Sequence, residues 1–416
     1  MKYPTTPIPG GVCAPKGFTA SGVHCGIRKN KQKLDLCLIK SEVRAASAAV
    51  YTQNIVQGAP IAVTKANLAD GYAQALICNS GNANTCNADG VEIAQAMCAL
   101  VEQHAGIPVA DVIIASTGVI GQPLPIAPIA EGMPALVSGL SGEISGNDNA
   151  AAAIMTTDLR EKIRAFSFDI GGVECRIGGI AKGSGMINPN MATMLAFITT
   201  DVAITPEMLQ LAISRDTEIS FNMVCVDGDT STNDMMSIMA NGMAGNKLID
   251  SEGDDFNAFC QALGMVTNYL AREIARDGEG ATKLITCSVH GIPAVDARKI
   301  AKSVVSSSLV KSAMFGADAN WGRILCAMGY SGVTFDPSKV SVKFSAASSP
   351  DDICEVTVCE NGASVDFDED LAKKVLTHES NEIAIIIKIG EGSGHATAWG
   401  CDLTYDYVKI NGDYRT

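Results

Sequence analysis

The sequence predicts an α/β protein, and three observations predict it. Short β-branched runs alternate along the chain with stretches whose apolar residues recur at helical spacing. Hydrophobic residues make up 47% of the 416 positions and charged residues only 18%, enough to bury a substantial core. Forty glycines signal many tight turns or close backbone approaches. The length allows about two or three domains.

In chain order, Ala75–Cys78 reads as a strand leading into a polar, Asn-rich segment. Glu92 to His104 carries apolar residues at helical spacing, and Val112–Ala115 is a short apolar strand. Pro123 to Gly146 is rich in Pro, Gly and Ser and reads as an irregular surface segment. Ala196–Thr199 is the next strand. Phe256 to Ile274 is helical, with acids before it and Arg272 and Arg276 near its end, as the helix dipole favours. Val295 to Leu309 and Asp368 to Leu376 are further helices, and Ile383–Lys388 is a strand. Helix–strand alternation resumes after about Gly280, which marks a smaller domain. No fixed-period repeat appears, so a solenoid is not expected.

Charge and cysteine usage narrow the setting. A formal charge of −14 and a pI near 4.8 disfavour nucleic acid or an anionic membrane as partner. Met1 to Pro7 lacks a basic-then-apolar signal pattern, and no run of about 18 apolar residues could span a membrane. Fourteen cysteines are scattered singly through apolar segments, which fits buried thiols in a reducing, cytoplasmic compartment. Cys354 and Cys359, the closest pair, read as strand positions. There is no CxxC pair, and none of the five histidines lies within four residues of another, so no metal site is expected.

The chemistry centres on Gly178 to Ala196. A Gly/Ser segment and a Pro189-Asn190 turn lead to the small Ala192, then Thr193, then an apolar run. Lys182 precedes the Gly183-Ser184-Gly185 cluster, so the order of a phosphate loop is absent. On these residues alone the stretch is either a flexible connection or a segment presenting one threonine at the mouth of a strand. A threonine hydroxyl needs an adjacent base, and a free α-amine on the same residue supplies one if the Ala192–Thr193 bond is cut.

Other segments admit two readings each. Ser116-Thr117-Gly118-Val119-Ile120-Gly121 could aim backbone N–H groups at a substrate oxygen, or be an ordinary strand-end turn. Asn79 to Asn84 is a site loop or a set of Asn-stabilised turns. Asp227 to Asp234 has acids at calcium-loop spacing but lacks the glycine at the sixth position and glutamate at the twelfth. It therefore reads as a site wall or a buried hydrogen-bond network. Arg276 to Gly280 places Glu279 on a turn, or simply ends a helix.

Taken together, these segments resemble the ornithine acetyltransferase family of arginine biosynthesis. The resemblance runs through Asn79–Asn84, Ser116–Gly121, Met155–Asp158, Lys182–Leu195, Asp227–Asp234, Arg276–Lys283, Gly316–Arg323 and Asn411–Thr416. It implies a stacked-sheet αββα sandwich related to the N-terminal-nucleophile hydrolases, plus a smaller α/β domain. It also implies self-cleavage between Ala192 and Thr193. The products would be a chain 1–192 and a chain 193–416, with 193–280 completing the main sandwich and about 281–416 forming the smaller domain. The two chains would associate as α2β2.

By the same resemblance, Thr193 is the nucleophile that carries acetyl from N2-acetylornithine to glutamate. Thr117 and Gly118 contribute to the oxyanion hole. Thr156, Lys182, Glu279, Asn411 and Thr416, with Thr193, match substrate-binding positions. Exchange of one amide for another requires no cofactor, although some family members also take acetyl-CoA as a substrate. The chain departs from the family at Leu159-Arg160, where another threonine and a nearby proline are common, which leaves Thr156 and Thr157 as alternative contacts. Two other functions share the scaffold: an aminopeptidase or amidase with water as acceptor, and an unprocessed binding protein.

Overall fold

The computed structural model describes residues 2–188 and 194–412. The chain divides into two compact units. The first comprises Met1–Gly183, Pro189–Phe221 and Thr230–Leu270, and the second Ser184–Asn188, Asn222–Asp229 and Ala271–Thr416. The expected α/β class holds in both, each unit combining one sheet with helices.

In the first unit the strands run, from one edge, Thr5–Ile8, Lys162–Ile170, Val173–Lys182, Leu195–Thr200, Met235–Ala240, Leu36–Tyr51, Tyr72–Asn82 and Val112–Val119. Phe18–Val23 pairs with the first half of the long Leu36–Tyr51 strand, and Met235–Ala240 with its second half. Tyr72–Asn82 and Val112–Val119 are parallel, joined through the helix Gly90–Ala105. Such a crossover buries a strand on both faces, which is why Val112 to Ala115 is apolar without alternation. Ile113 and Ala115 join Ala150, Ala153 and Ile154 in one core, while Val112 and Ile114 join Ala94, Met97, Cys98 and Val101 in the other.

The Pro123-to-Gly146 expectation is corrected. Ile126–Ser138 is a helix, and a second, Ile144–Ile154, begins inside the same stretch. Ile129, Met133 and Leu136 recur at helical spacing and are fully buried, while Pro134 lies on the exposed side. Burial of that stripe outweighs the one backbone hydrogen bond that the proline cannot donate.

The second unit has a seven-stranded sheet in the order Ala363–Ser364, Ile353–Glu360, Val340–Ala347, Glu382–Ile389, Leu284–His290, His395–Cys401, Val224–Cys225. Val340–Ala347 and Glu382–Ile389 alternate buried and less buried residues, the mark of one face against a core. Cys354 and Cys359 are strand positions here, and the cysteines are free thiols. Helix Ala294–Ser306 ends earlier than its apolar pattern suggested. The Ser307 hydroxyl accepts the Val310 N–H at 3.3 Å and starts a separate helix, Ser308–Phe315. Asp254–Arg276 covers the expected long helix, with Asp254 and Asp255 in its first turn and Arg276 in its last. Among the described residues no helix is long and apolar enough to cross a membrane.

Candidate active site

Ala192, Thr193 and Thr416 lie outside the described residues. Thr117, Gly118, Thr156 and Lys182 belong to the first unit, and Glu279 and Asn411 to the second.

Thr117 and Gly118 occupy the end of the strand Val112–Val119, where the ladder to Ser80–Asn82 becomes irregular. Gly118 has φ +134°, and a Cβ there would sit 2.5 Å from the Asn82 nitrogen and closer still to the Gly81 backbone. Only glycine lets the two strand ends approach this closely. The surrounding Asn-rich segment is a buried network. Ser116 Oγ donates to Asn79 Oδ1 at 2.6 Å, Asn79 Nδ2 to the Asn82 carbonyl at 2.9 Å, and the Asn84 N–H to Asn82 Oδ1 at 2.8 Å. Asn233 Nδ2 donates to the carbonyls of Ala83 and Ser116 at 2.6 and 3.0 Å, and Thr85 Oγ1 donates to Asn233 Oδ1 at 2.6 Å. These asparagine amides are engaged with the main chain, so they shape the strand end rather than face a ligand. Arg28, which the sequence reading passed over, packs beside Gly81 and donates to the Met155 carbonyl.

A second residue that sequence reasoning underused is Asp158. Its Oδ1 accepts from Lys162 Nζ at 2.8 Å and from the Gly183 N–H at 2.7 Å, and its Oδ2 accepts from the Thr156 N–H at 2.9 Å. One carboxylate thus ties Thr156 to the end of the Lys182 strand. The Thr156 hydroxyl also lies 3.5 Å from Oδ2. Burial alone would push the Asp158 carboxyl up. The nearby Lys182 and Lys162 ammonium groups and the hydrogen bonds outweigh it and hold the group well below the ordinary carboxylate range. Lys182 is itself only 7% exposed. The signal for Asp158 was a carboxylate four residues before a lysine that alternation places on the inward side of a strand.

The Asp227–Asp234 segment divides between the units. Thr232 and Asn233 join the first unit's network, Thr232 Oγ1 donating to Asn233 Oδ1 at 2.5 Å. Asp227 in the second accepts the backbone N–H of Met186 at 2.6 Å and of Ile187 at 2.8 Å. Tyr407 also donates to its Oδ2, at 3.2 Å. Burial, then the negative charge of Asp227, raises the Tyr407 phenol above its usual value.

Glu279 and Asn411 meet directly: Asn411 Nδ2 donates to Glu279 Oε2 at 2.8 Å. The carboxylate is 7% exposed and has no cationic partner among the described residues. The turn bearing it is fixed by the Glu279 N–H donating to the Ser184 carbonyl at 2.9 Å and Ser184 Oγ donating to the Asp277 carbonyl at 2.6 Å. A buried, unneutralised carboxylate of this kind is suited to a ligand cation. Among the described residues no cluster of three His, Cys, Asp or Glu is placed to hold a metal.

Residues 19–416 match the ArgJ family. The arginine biosynthesis bifunctional protein ArgJ of Symbiobacterium thermophilum is 48% identical over 412 residues, which cover 98% of this chain and 99% of that relative. The ArgJ crystal structure from Bacillus halodurans is 44% identical, covering 53% of this chain and 100% of the solved one, with a TM-score of 0.49. The ornithine acetyltransferase of Mycobacterium tuberculosis, solved in complex with ornithine, is 35% identical over 45% of this chain and 100% of its own, with a TM-score of 0.42.

Proposed function

The chain belongs to the ArgJ family, acyltransferases of arginine biosynthesis, and we propose that it moves acetyl from N2-acetylornithine to glutamate through an acetyl-threonine on Thr193. The observation that carries this reading is Glu279: a carboxylate with almost no solvent and no described cationic partner is a seat for the ornithine side-chain ammonium. Lys182 supplies a cation for a substrate carboxylate, and the Thr117–Gly118 strand end stabilises the developing oxyanion.

Maturation comes first. Thr193 Oγ attacks the Ala192 carbonyl carbon, the C–N bond breaks, and the released nitrogen takes the proton to become an α-amine. Water then opens the resulting ester, leaving the Ala192 carboxylate and the Thr193 hydroxyl. An α-amine has a pKa of about 8, so part of it is neutral near pH 7 and can accept the hydroxyl proton. Thr193 Oγ attacks the acetyl carbonyl of N2-acetylornithine, the acetamide C–N bond breaks, and ornithine leaves with the proton on its amine. The glutamate amine attacks the acetyl ester and departs as N-acetylglutamate, restoring the hydroxyl. The cycle is ping-pong.

Acetyl-CoA serves as a second acetyl donor in this reading, supported by the name bifunctional that the relatives carry. The two chains remain together as α2β2 in the cytoplasm, which the free thiols support.

Intact-mass spectrometry with a two-substrate assay tests the proposal. Fragments split before Thr193, together with N-acetylglutamate formation that needs both N2-acetylornithine and glutamate, are expected, and Thr193→Ala abolishes both. Acetate release independent of glutamate would instead assign an amidase. An active protein that remains one chain would remove the threonine from the mechanism.

A further inference from the structure

We propose that Gly185 is a specificity-determining position: its missing side chain leaves the Glu279 carboxylate the place from which it selects a donor with a side-chain ammonium. The inference rests on the assignment of Glu279 to that ammonium.

A Cβ built on Gly185 would lie 2.5 Å from Glu279 Oε1 and closer still to Cδ and Oε2. The carboxylate therefore lies flat against the bare Cα, with no room for one methyl group. Gly185 is outside the left-handed region, so an alanine backbone is allowed there. The contact with Glu279, not backbone freedom, is what requires glycine.

The segment cannot yield to such a methyl, because both of its ends are fixed. On one side the Ser184 carbonyl accepts the Glu279 N–H and the Ser184 hydroxyl donates to Asp277. On the other, the Asp227 carboxylate holds the N–H groups of Met186 and Ile187, and the Val226 N–H donates to the Ile187 carbonyl at 2.7 Å. Met186 sits at φ +55°, a conformation that a non-glycine residue adopts only when its surroundings impose it. The movable partner is the Glu279 side chain. Among the described residues it is held by one hydrogen bond, from Asn411 to Oε2 at 2.8 Å, on the oxygen nearest to the Gly185 position. A methyl at position 185 displaces the carboxylate from that bond and from the ammonium it serves. Contacts to the acetyl group and the α-carboxylate are left as they were.

The test compares two donors on the mature enzyme: N2-acetylornithine, and N-acetylnorvaline, which has the same carbon chain without the ammonium. Their kcat/KM ratio reads the ammonium contact alone. Gly185→Ala should lower that ratio by about tenfold, the scale of one lost charge-assisted hydrogen bond, through KM for N2-acetylornithine. Turnover of N-acetylnorvaline should stay within about twofold of the parent. An equal fall for both donors, or an unchanged ratio, overturns the proposal. Glu279→Gln separates the two levels of the argument. If it leaves the ratio intact, Glu279 does not receive the ammonium and the underlying assignment fails. If it collapses the ratio while Gly185→Ala does not, the fault lies with Gly185.

Discussion

The Lys162 ammonium lies 2.8 Å from the Asp158 carboxylate, and neither side chain reaches solvent. The same carboxylate feels Lys182 and holds Thr156 and Gly183, so two substrate-binding candidates depend on one buried charge.

Removing one partner of such a pair leaves the other charged and uncompensated. Lys162→Met should therefore destabilise the protein by about 3 kcal/mol, the low end for a broken buried pair because Lys182 remains. Urea unfolding measures this. The linkage has a definite sign. The Asp158 carboxyl is held below its unfolded value, so its stabilisation is fully present above that unfolded value, about pH 4, and is lost progressively as pH falls from there through the folded value. Asp158→Asn should weaken the fold at pH 7 and flatten its acid unfolding. An acid profile parallel to the parent's would show that Asp158 is not the titrating group.

Gly118 offers a sharper test of the strand end. At φ +134°, with a backbone nitrogen 2.5 Å from any added Cβ, Gly118→Ala combines backbone strain with a clash that no side chain can relieve. A loss of about 3 kcal/mol, or a Tm lower by about 5 °C or more, is expected together with loss of acetyl transfer. Unchanged melting and turnover would show that the strand ends can separate at no cost, and that neither needs this approach.

The sequence disclosed those features that depend on neighbours along the chain. Val112 to Ala115 reads as a buried strand because a parallel crossover needs apolar residues on both faces, and both cores claim them. Ile126–Ser138 was hidden because Pro and Gly density outvoted the Ile129, Met133 and Leu136 stripe. The helix break at Ser307 had a local signal, a run of three serines, but the apolar spacing continues across it. The site was less legible. Nothing near Asp158 in sequence announces Gly183, and nothing near Asp227 announces Met186, since these bonds span 25 and 41 positions. Asparagines 79 to 84 looked equally fit for ligand or scaffold until the carbonyls they satisfy were known.

Among the described residues Asn411 supplies the one side-chain hydrogen bond to the Glu279 carboxylate, from a helix, Tyr405–Gly412, that is exposed except at half-buried Tyr407. Asn411→Ala leaves the carboxylate in place but less fixed, so KM for N2-acetylornithine should rise by about three- to tenfold with kcat little changed. Steady-state kinetics at saturating glutamate separate the two constants. A fall in kcat at constant KM would place Asn411 in the chemical step instead.

Asp216 carries a prediction that runs against the usual expectation for an acid. It lies in the last turn of the helix Pro206–Thr217, is 6% exposed, and accepts from Ser220 Oγ at 3.1 Å. Burial pushes its pKa up to about 7, against the smaller opposing effect of hydrogen bonds from Thr267 and Ser220. The unfolded chain releases this proton near pH 4, whereas the folded protein keeps it until about pH 7. Between those values the native state binds the extra proton, so stability falls as pH rises and levels off above about 7. Asparagine matches the neutral acid in shape and does not titrate. Asp216→Asn should match the parent near pH 4 and exceed it at pH 8, by up to about 4 kcal/mol if the full difference is realised. Thermal melts across pH 4 to 8, with salt and buffer ions held constant, read the divergence. Parallel curves for the two proteins would mean that Asp216 is already ionised in the folded state and that its hydrogen bonds, not burial, govern it.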